Sequence, residues 1–231
     1  MKKRINFIDF EKKINYVDAM VYFCDGFVML KKFCLLVIFT LFATSVSAND
    51  NILLPNPITE NDLMNTIDQR VSSRHFSNKE ISIQVLSDIL WAAYGVNKNG
   101  TRTIPTAKNE QNLKLFVVYR NAVWYYDAFT NSLVKVTSEN VMDDIAKQNF
   151  VYDAPINLIY VGSDAEYSTF HAGSASQNVY LYVTKNGLST IVRGLIDKEA
   201  LKKKLKLTND EFVIINQVIG YPKNRFLKGW Y

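Results

Sequence analysis

The sequence predicts an α+β domain, on three observations. Two strand-like runs, "LKLFVVY" and "AVWYY", are parted only by Arg120-Asn121, which makes a hairpin. Helix-patterned segments carry clear start and stop residues. The runs follow one another irregularly, without the strand–helix alternation of a parallel sheet. Hydrophobic residues make up 48% of the 231, with only 5 Pro and 9 Gly, so the chain can bury a core.

The elements can be placed in order. Residues 49–62, with Pro55 and Pro57, read as an extended lead-in. A short helix runs from Asn61 to about Val71, because Leu63, Met64, Ile67 and Val71 fall at helical intervals. Ser82 caps a second helix whose apolar face holds Val85, Leu86, Ile89, Leu90 and Ala93, and Gly95 ends it. Asn97 to Asn112 is polar loop. The hairpin follows, and "LVKV" extends it. A helix is expected around Val141–Gln148, and "APINLIYVG" reads as a buried strand. "FHAGSASQNVYLYVTKNGL" is a long helix stopped by Gly187, with a start rich in small residues. Its Gln177 and Asn178 suit core hydrogen bonds, and Tyr180 and Tyr182 suit packing. "STIVRG" is a short strand, "KEALKKKLKL" a helix with a solvated basic face, and "FVIINQVIGYP" a last strand.

Charge and export signals go together. The net charge is +5, yet Lys and Arg number 20 beyond Ala48 against 18 acids, so the body is near neutral. That gives no electrostatic reason to expect nucleic acid as a partner. "MLKKFCLLVIFTLFATSVSAND" has a basic start, a short apolar run and small residues before Ala48, the order of a secretory signal. Residues 29–48 are therefore read as a signal peptide cleaved after Ala48, with export to the periplasm and no membrane association afterwards. Residues 1–28 are read as an upstream extension from a start called too early, with Met29 as the start; an uncleaved anchor is the alternative. Both cysteines, Cys24 and Cys34, precede Ala48, so the exported chain has neither disulfides nor thiolate catalysis. His75 and His171 lack metal-ligand spacing, and no metal is expected.

The segment "RVSSRHFSNKE" sets two arginines around serines at a helix entrance. Planar guanidinium forks meet two phosphate oxygens at once, so the pattern suits a phosphate-bearing ligand. Alone it also suits a solvated helix end.

Together, "RVSSRHFS", "LSDILWAAYGVN", "RTIPTAKN", "APINLIYV", "AGSASQNVYLYVTKNGLSTIVRG" and "VIGYP" resemble the nitroreductase family of flavoproteins, nearest the SagB-type branch with its small exported members. The resemblance covers about Leu63 to Pro222, within a nitroreductase-like domain at 63–231. It implies a mixed, mainly antiparallel sheet flanked by helices, an intertwined homodimer, one FMN in each of two interface sites, and two-electron exchange with a small-molecule substrate. Carried over residue by residue, Arg70, Ser72 and Arg74 meet the FMN phosphate and ring edge. Pro105, Thr106, Ala107 and Asn109 form the loop that reaches the partner's flavin. Gly194 brings a backbone N–H towards the ring, and Lys223 or Arg225 completes the phosphate site. Arg193 either faces the substrate pocket or pairs with an acid. No catalytic residue is assigned. Three departures stand out: Val71 replaces a polar residue, Thr106 replaces serine, and "KNEQNLKL" lacks the tyrosine-proline pair of SagB-type relatives. Two classes of function follow, an exported FMN-dependent oxidoreductase or a ligand-binding scaffold on the same fold. NAD(P)H, the usual donor of cytoplasmic relatives, is scarce outside the cytoplasm.

Overall fold

The computed structural model describes residues 55–223. The signal segment, the extension before it, residues 49–54 of the lead-in and Arg225 lie outside them. The helices are α1 (Asp62–Gln69), α2 (Ile83–Tyr94), α3 (Met142–Ile145), α4 (Tyr167–Lys185) and α5 (Lys198–Lys204). The strands are β1 (Phe76–Ser77), β2 (Leu113–Tyr119), β3 (Ala122–Asp127), β4 (Ser132–Thr137), β5 (Ile156–Gly162), β6 (Ser189–Arg193) and β7 (Phe212–Pro222).

All strand pairs are antiparallel, in the order β1-β7-β5-β2-β3-β4, with β6 also on β7. The period-two geometry of strands sorts their side chains into two layers. On one face Leu115, Val117, Leu158 and Tyr160 pack against Leu86, Ile89 and Ala93 of α2 and Ala172, Ala175 and Val179 of α4. On the other, Phe116, Ile159 and Val161 meet Leu201 of α5 and Ile145 of α3. β5 is buried along its whole length because both faces are covered, which explains its unbroken apolar run.

Local chemistry sets the boundaries. Asn61, Ser82 and Asp197 cap α1, α2 and α5 by accepting backbone N–H bonds from Met64, Val85 and Ala200. Arg120 and Asn121 both take positive φ, 46° and 57°, as a tight two-residue hairpin with matching twist requires. The helix expected over 141–148 is cut to one turn. Ile145 O accepts from Arg193 Nη1 (2.9 Å) in place of a further helical N–H, and the Gln148 side chain accepts from Arg193 Nε (3.0 Å).

The turn into α4 depends on Gly162. A Cβ there would sit 2.2 Å from Ser168 Cβ. Ser168 Oγ accepts from Asp164 N (3.1 Å) and donates to Asn112 O (3.0 Å), so it cannot simply move aside. Gly162→Ala is expected to cost roughly 1–3 kcal/mol, read as a lower urea midpoint with unchanged slope.

Candidate functional site

The arginine–serine segment is laid against the sheet edge by backbone bonds. Arg70 leaves α1 in an extended conformation, with φ −63° and ψ 120°. Ser73 N then donates to Thr190 O of β6 (3.0 Å), and β1 pairs with Tyr221 and Pro222 of β7. One tyrosine ties this segment to β6. Tyr180 Oη, on α4, lies 2.8 Å from Ser72 Oγ and accepts from Val192 N at 3.0 Å. The Arg70 guanidinium sits 5.3 Å from the Tyr180 ring centre. Tyr180 is thus the post on which the segment hangs, and its role goes beyond packing. The signal in the sequence was available: a buried tyrosine needs a partner for its hydroxyl.

Lys223 joins the same edge. Its backbone N–H donates to His75 O (3.3 Å), which places it beside Arg74. Its ammonium is 4.0 Å from Asp153 Oδ2, with both groups well exposed, so that pairing contributes little. Among the described residues no carboxylate pairs with Arg70 or Arg74. A row of cations along one sheet edge is therefore available to an anion.

Gly194 follows β6 directly. A Cβ built there meets nothing within 4 Å, and its φ is not in the left-handed region. Neither packing nor backbone conformation demands glycine at this position. An approaching ligand would use that open side.

Arg193 corrects the expectation for its side chain. It is buried, only 5% exposed, and pairs with no acid among the described residues. Its guanidinium donates to Gln148 Oε1, Ile145 O, Asn216 Oδ1 (3.1 Å) and Leu195 O (2.9 Å), and lies 5.5 Å from the Phe150 ring centre. Burial pulls its pKa down from the ordinary guanidinium value. With four of its five N–H donors bonded within the chain, Arg193 clamps α3 and β7 to the end of β6 rather than standing free for a cofactor or substrate.

The loop of Pro105, Thr106, Ala107 and Asn109 is held elsewhere. Ala107 N donates to His171 Nε2 (2.8 Å) near the start of α4, and His171 Nδ1 pairs with Asn112 Oδ1 (2.8 Å). Lys108, Asn109 and Gln111 have φ of 51°, 57° and 48°. Left-handed backbone costs a non-glycine residue about 1 kcal/mol, less for asparagine, so surrounding bonds must impose this path. A second tie is visible: Arg102, stacked on Tyr94 (4.3 Å) and Phe129 (4.7 Å), donates to Gln111 Oε1 (2.9 Å), and Gln111 Nε2 donates to Asn109 Oδ1 (3.1 Å). Lys108 Nζ lies 5.2 Å from the Tyr167 ring centre.

The two groups are not brought together within one chain. One hangs from Tyr180 and the other from His171, and a rise of 1.5 Å per residue separates those anchors by roughly 13 Å along α4.

The residues of the first group suit FMN: Arg70 and Arg74, unpaired among the described residues, and the Ser72 hydroxyl for a phosphate, and open space at Gly194 for a planar ring.

Comparison with known proteins shows the family. The profile of the nitroreductase family matches residues 67–221. A Methanocaldococcus jannaschii protein named as a nitroreductase is 31% identical over 191 residues, 73% of this chain and 95% of the relative. The crystal structure of a Ralstonia eutropha JMP134 protein, also named as a nitroreductase, matches with TM-score 0.66 and 30% identity over 75% of this chain and 90% of its own. A chain of the E. coli microcin synthetase McbBCD complex matches in fold, with TM-score 0.58 and 16% identity over 77% of this chain and 80% of its own. The chain belongs to the nitroreductase family.

Proposed function

We propose that the protein is an exported, FMN-dependent oxidoreductase that works as a homodimer on a small organic substrate. The observation that carries this reading is that Arg70 and Arg74, with no carboxylate partner among the described residues, lie on a segment bonded to β6, which runs on to a glycine with an open side. Arg70, Arg74 and Lys223 offset the phosphate charge, and the Ser72 hydroxyl, fixed by Tyr180, adds a neutral contact. Positive charge at this edge also favours a reduced, anionic ring. Gly194 admits the ring close to the backbone. Bound FMN supplies reversible two-electron chemistry.

The separation of the two anchors along α4 supports the homodimer reading: a loop anchored on His171 lies away from the Tyr180-anchored segment of its own chain, and a second copy would bring its loop to that segment. Exposed apolar side chains support that partner: Leu63 and Ile67 line one face of α1, and Phe170 projects from α4. Within the family, the ordered set of motifs supports a place near the SagB-type branch, although the chain lacks that branch's tyrosine-proline pair. Export rests on residues 29–48, and N-terminal sequencing of the protein recovered from its host tests it.

Two measurements test the chemistry. In an anaerobic titration, one two-electron equivalent per FMN should bleach the flavin, and a quinone or nitroaromatic acceptor should restore it repeatedly. Stoichiometric binding with no turnover would leave a ligand-binding scaffold and remove the enzyme. Gly194→Ala should keep thermal stability within about 0.5 kcal/mol, since its Cβ meets nothing, yet weaken FMN binding measurably. An alanine variant with full affinity would show that the ring does not approach there.

A further inference from the structure

We infer that His171 is a positioning residue whose neutral imidazole latches the Thr106–Asn109 loop, and that protonation of this ring releases the loop. The latch itself is read from the geometry; its consequence for ligand binding rests on the function proposed above.

The two bonds of the ring fix its state. Ala107 N–H can only donate, so Nε2 must carry a lone pair. The proton is then on Nδ1, where it donates to Asn112 Oδ1. The amide orientation of Asn112 agrees, because its Nδ2 faces Glu110 Oε2 at 3.4 Å. A protonated ring would set an N–H against the Ala107 N–H, so the contact becomes repulsive. The loop beyond Ala107 holds its three left-handed residues against their own preference, so it relaxes once this bond is lost.

The surroundings favour the neutral ring at ordinary pH. His171 is completely buried, and burial holds its pKa below the usual 6.5. Two carboxylates oppose this, Glu110 on the loop and Asp164 in the turn before α4. The Phe170 ring lies edge-on to the imidazole at 6.1 Å, and Lys108 points towards Tyr167. The sign follows from linkage. The folded ring resists a proton that the unfolded chain accepts, so the latch contributes fully above about pH 6.5 and is lost as pH falls through the lower folded value.

The test needs no flavin. Amide exchange at Ala107 in the full chain should show protection at pH 7.5 that falls about tenfold or more towards pH 5, beyond the change of amides in β5. His171→Gln offers an oxygen near the position of Nε2, so it should keep the protection at both pH values. Asn112→Asp places a carboxylate against Nδ1 and should raise the midpoint by about one pH unit. A purely structural histidine would not move that midpoint. Protection at Ala107 that ignores pH in the wild type, or a midpoint unmoved in Asn112→Asp, overturns the latch. FMN retention, followed by absorbance across the same pH range, reports separately on the proposed cofactor site. If the amide responds as stated and the protein never binds flavin, the latch stands and the cofactor reading fails.

Discussion

Arg70→Ala/Arg74→Ala is expected to abolish retention of FMN through desalting while leaving the fold intact. Each charge-assisted contact contributes roughly 1.5–3 kcal/mol net, so losing two weakens binding by about a hundredfold to ten-thousandfold. The fold has little at stake. Arg74 is exposed, and Arg70 gives up one cation–π contact with Tyr180, about 0.5–1 kcal/mol. Affinity of the wild type should also fall as ionic strength rises, since the cations lie at an open edge. A double variant that binds FMN as the wild type does would remove the phosphate from this segment.

Arg193→Ala should do the reverse, with a large loss of stability. The change leaves Asn216 Oδ1 buried without a donor, leaves Ile145 O with only the Lys147 N–H, and strips Gln148 and Leu195 of theirs. At roughly 1–3 kcal/mol for the fully buried acceptor, with the other lost bonds and the lost packing on Phe150 added, the cost is about 3–5 kcal/mol. For a domain of this size that lowers Tm by about 10 °C. Lysine rescues poorly, because one ammonium cannot span four acceptors drawn from three parts of the chain. A variant that keeps its Tm and loses flavin would put the guanidinium back in the pocket. The pair of variants therefore separates charge that serves a ligand from charge that serves the fold.

The contrast between these arginines shows what the sequence could reveal. Arg70 and Arg74 stand in a local pattern with serine at a helix entrance, and their meaning follows from spacing. Arg193 stands in "IVRG" with no hint that its acceptors come from Ile145, Gln148 and Asn216. Most of the fold was legible, because period-two runs, capping residues and the Arg120-Asn121 turn are local signals. β1 was not, since two residues become a strand only by pairing with Tyr221 and Pro222. The shortened α3 was missed for the same reason as Arg193, whose bonds end it. Tyr180 and His171 were both in view as residues, yet their partners lie far away in sequence. A buried polar tip announces that a partner exists without naming it.

In the proposed function, Arg70, Arg74 and Lys223 hold the FMN phosphate at the sheet edge and Gly194 admits the ring. The most direct measurement is the absorbance spectrum of the full chain after mixing with FMN and desalting, with flavin counted per polypeptide. The account predicts one FMN per chain, two per dimer, with the bands lost in Arg70→Ala/Arg74→Ala. A colourless, folded protein would contradict it and leave this edge open to a different anion.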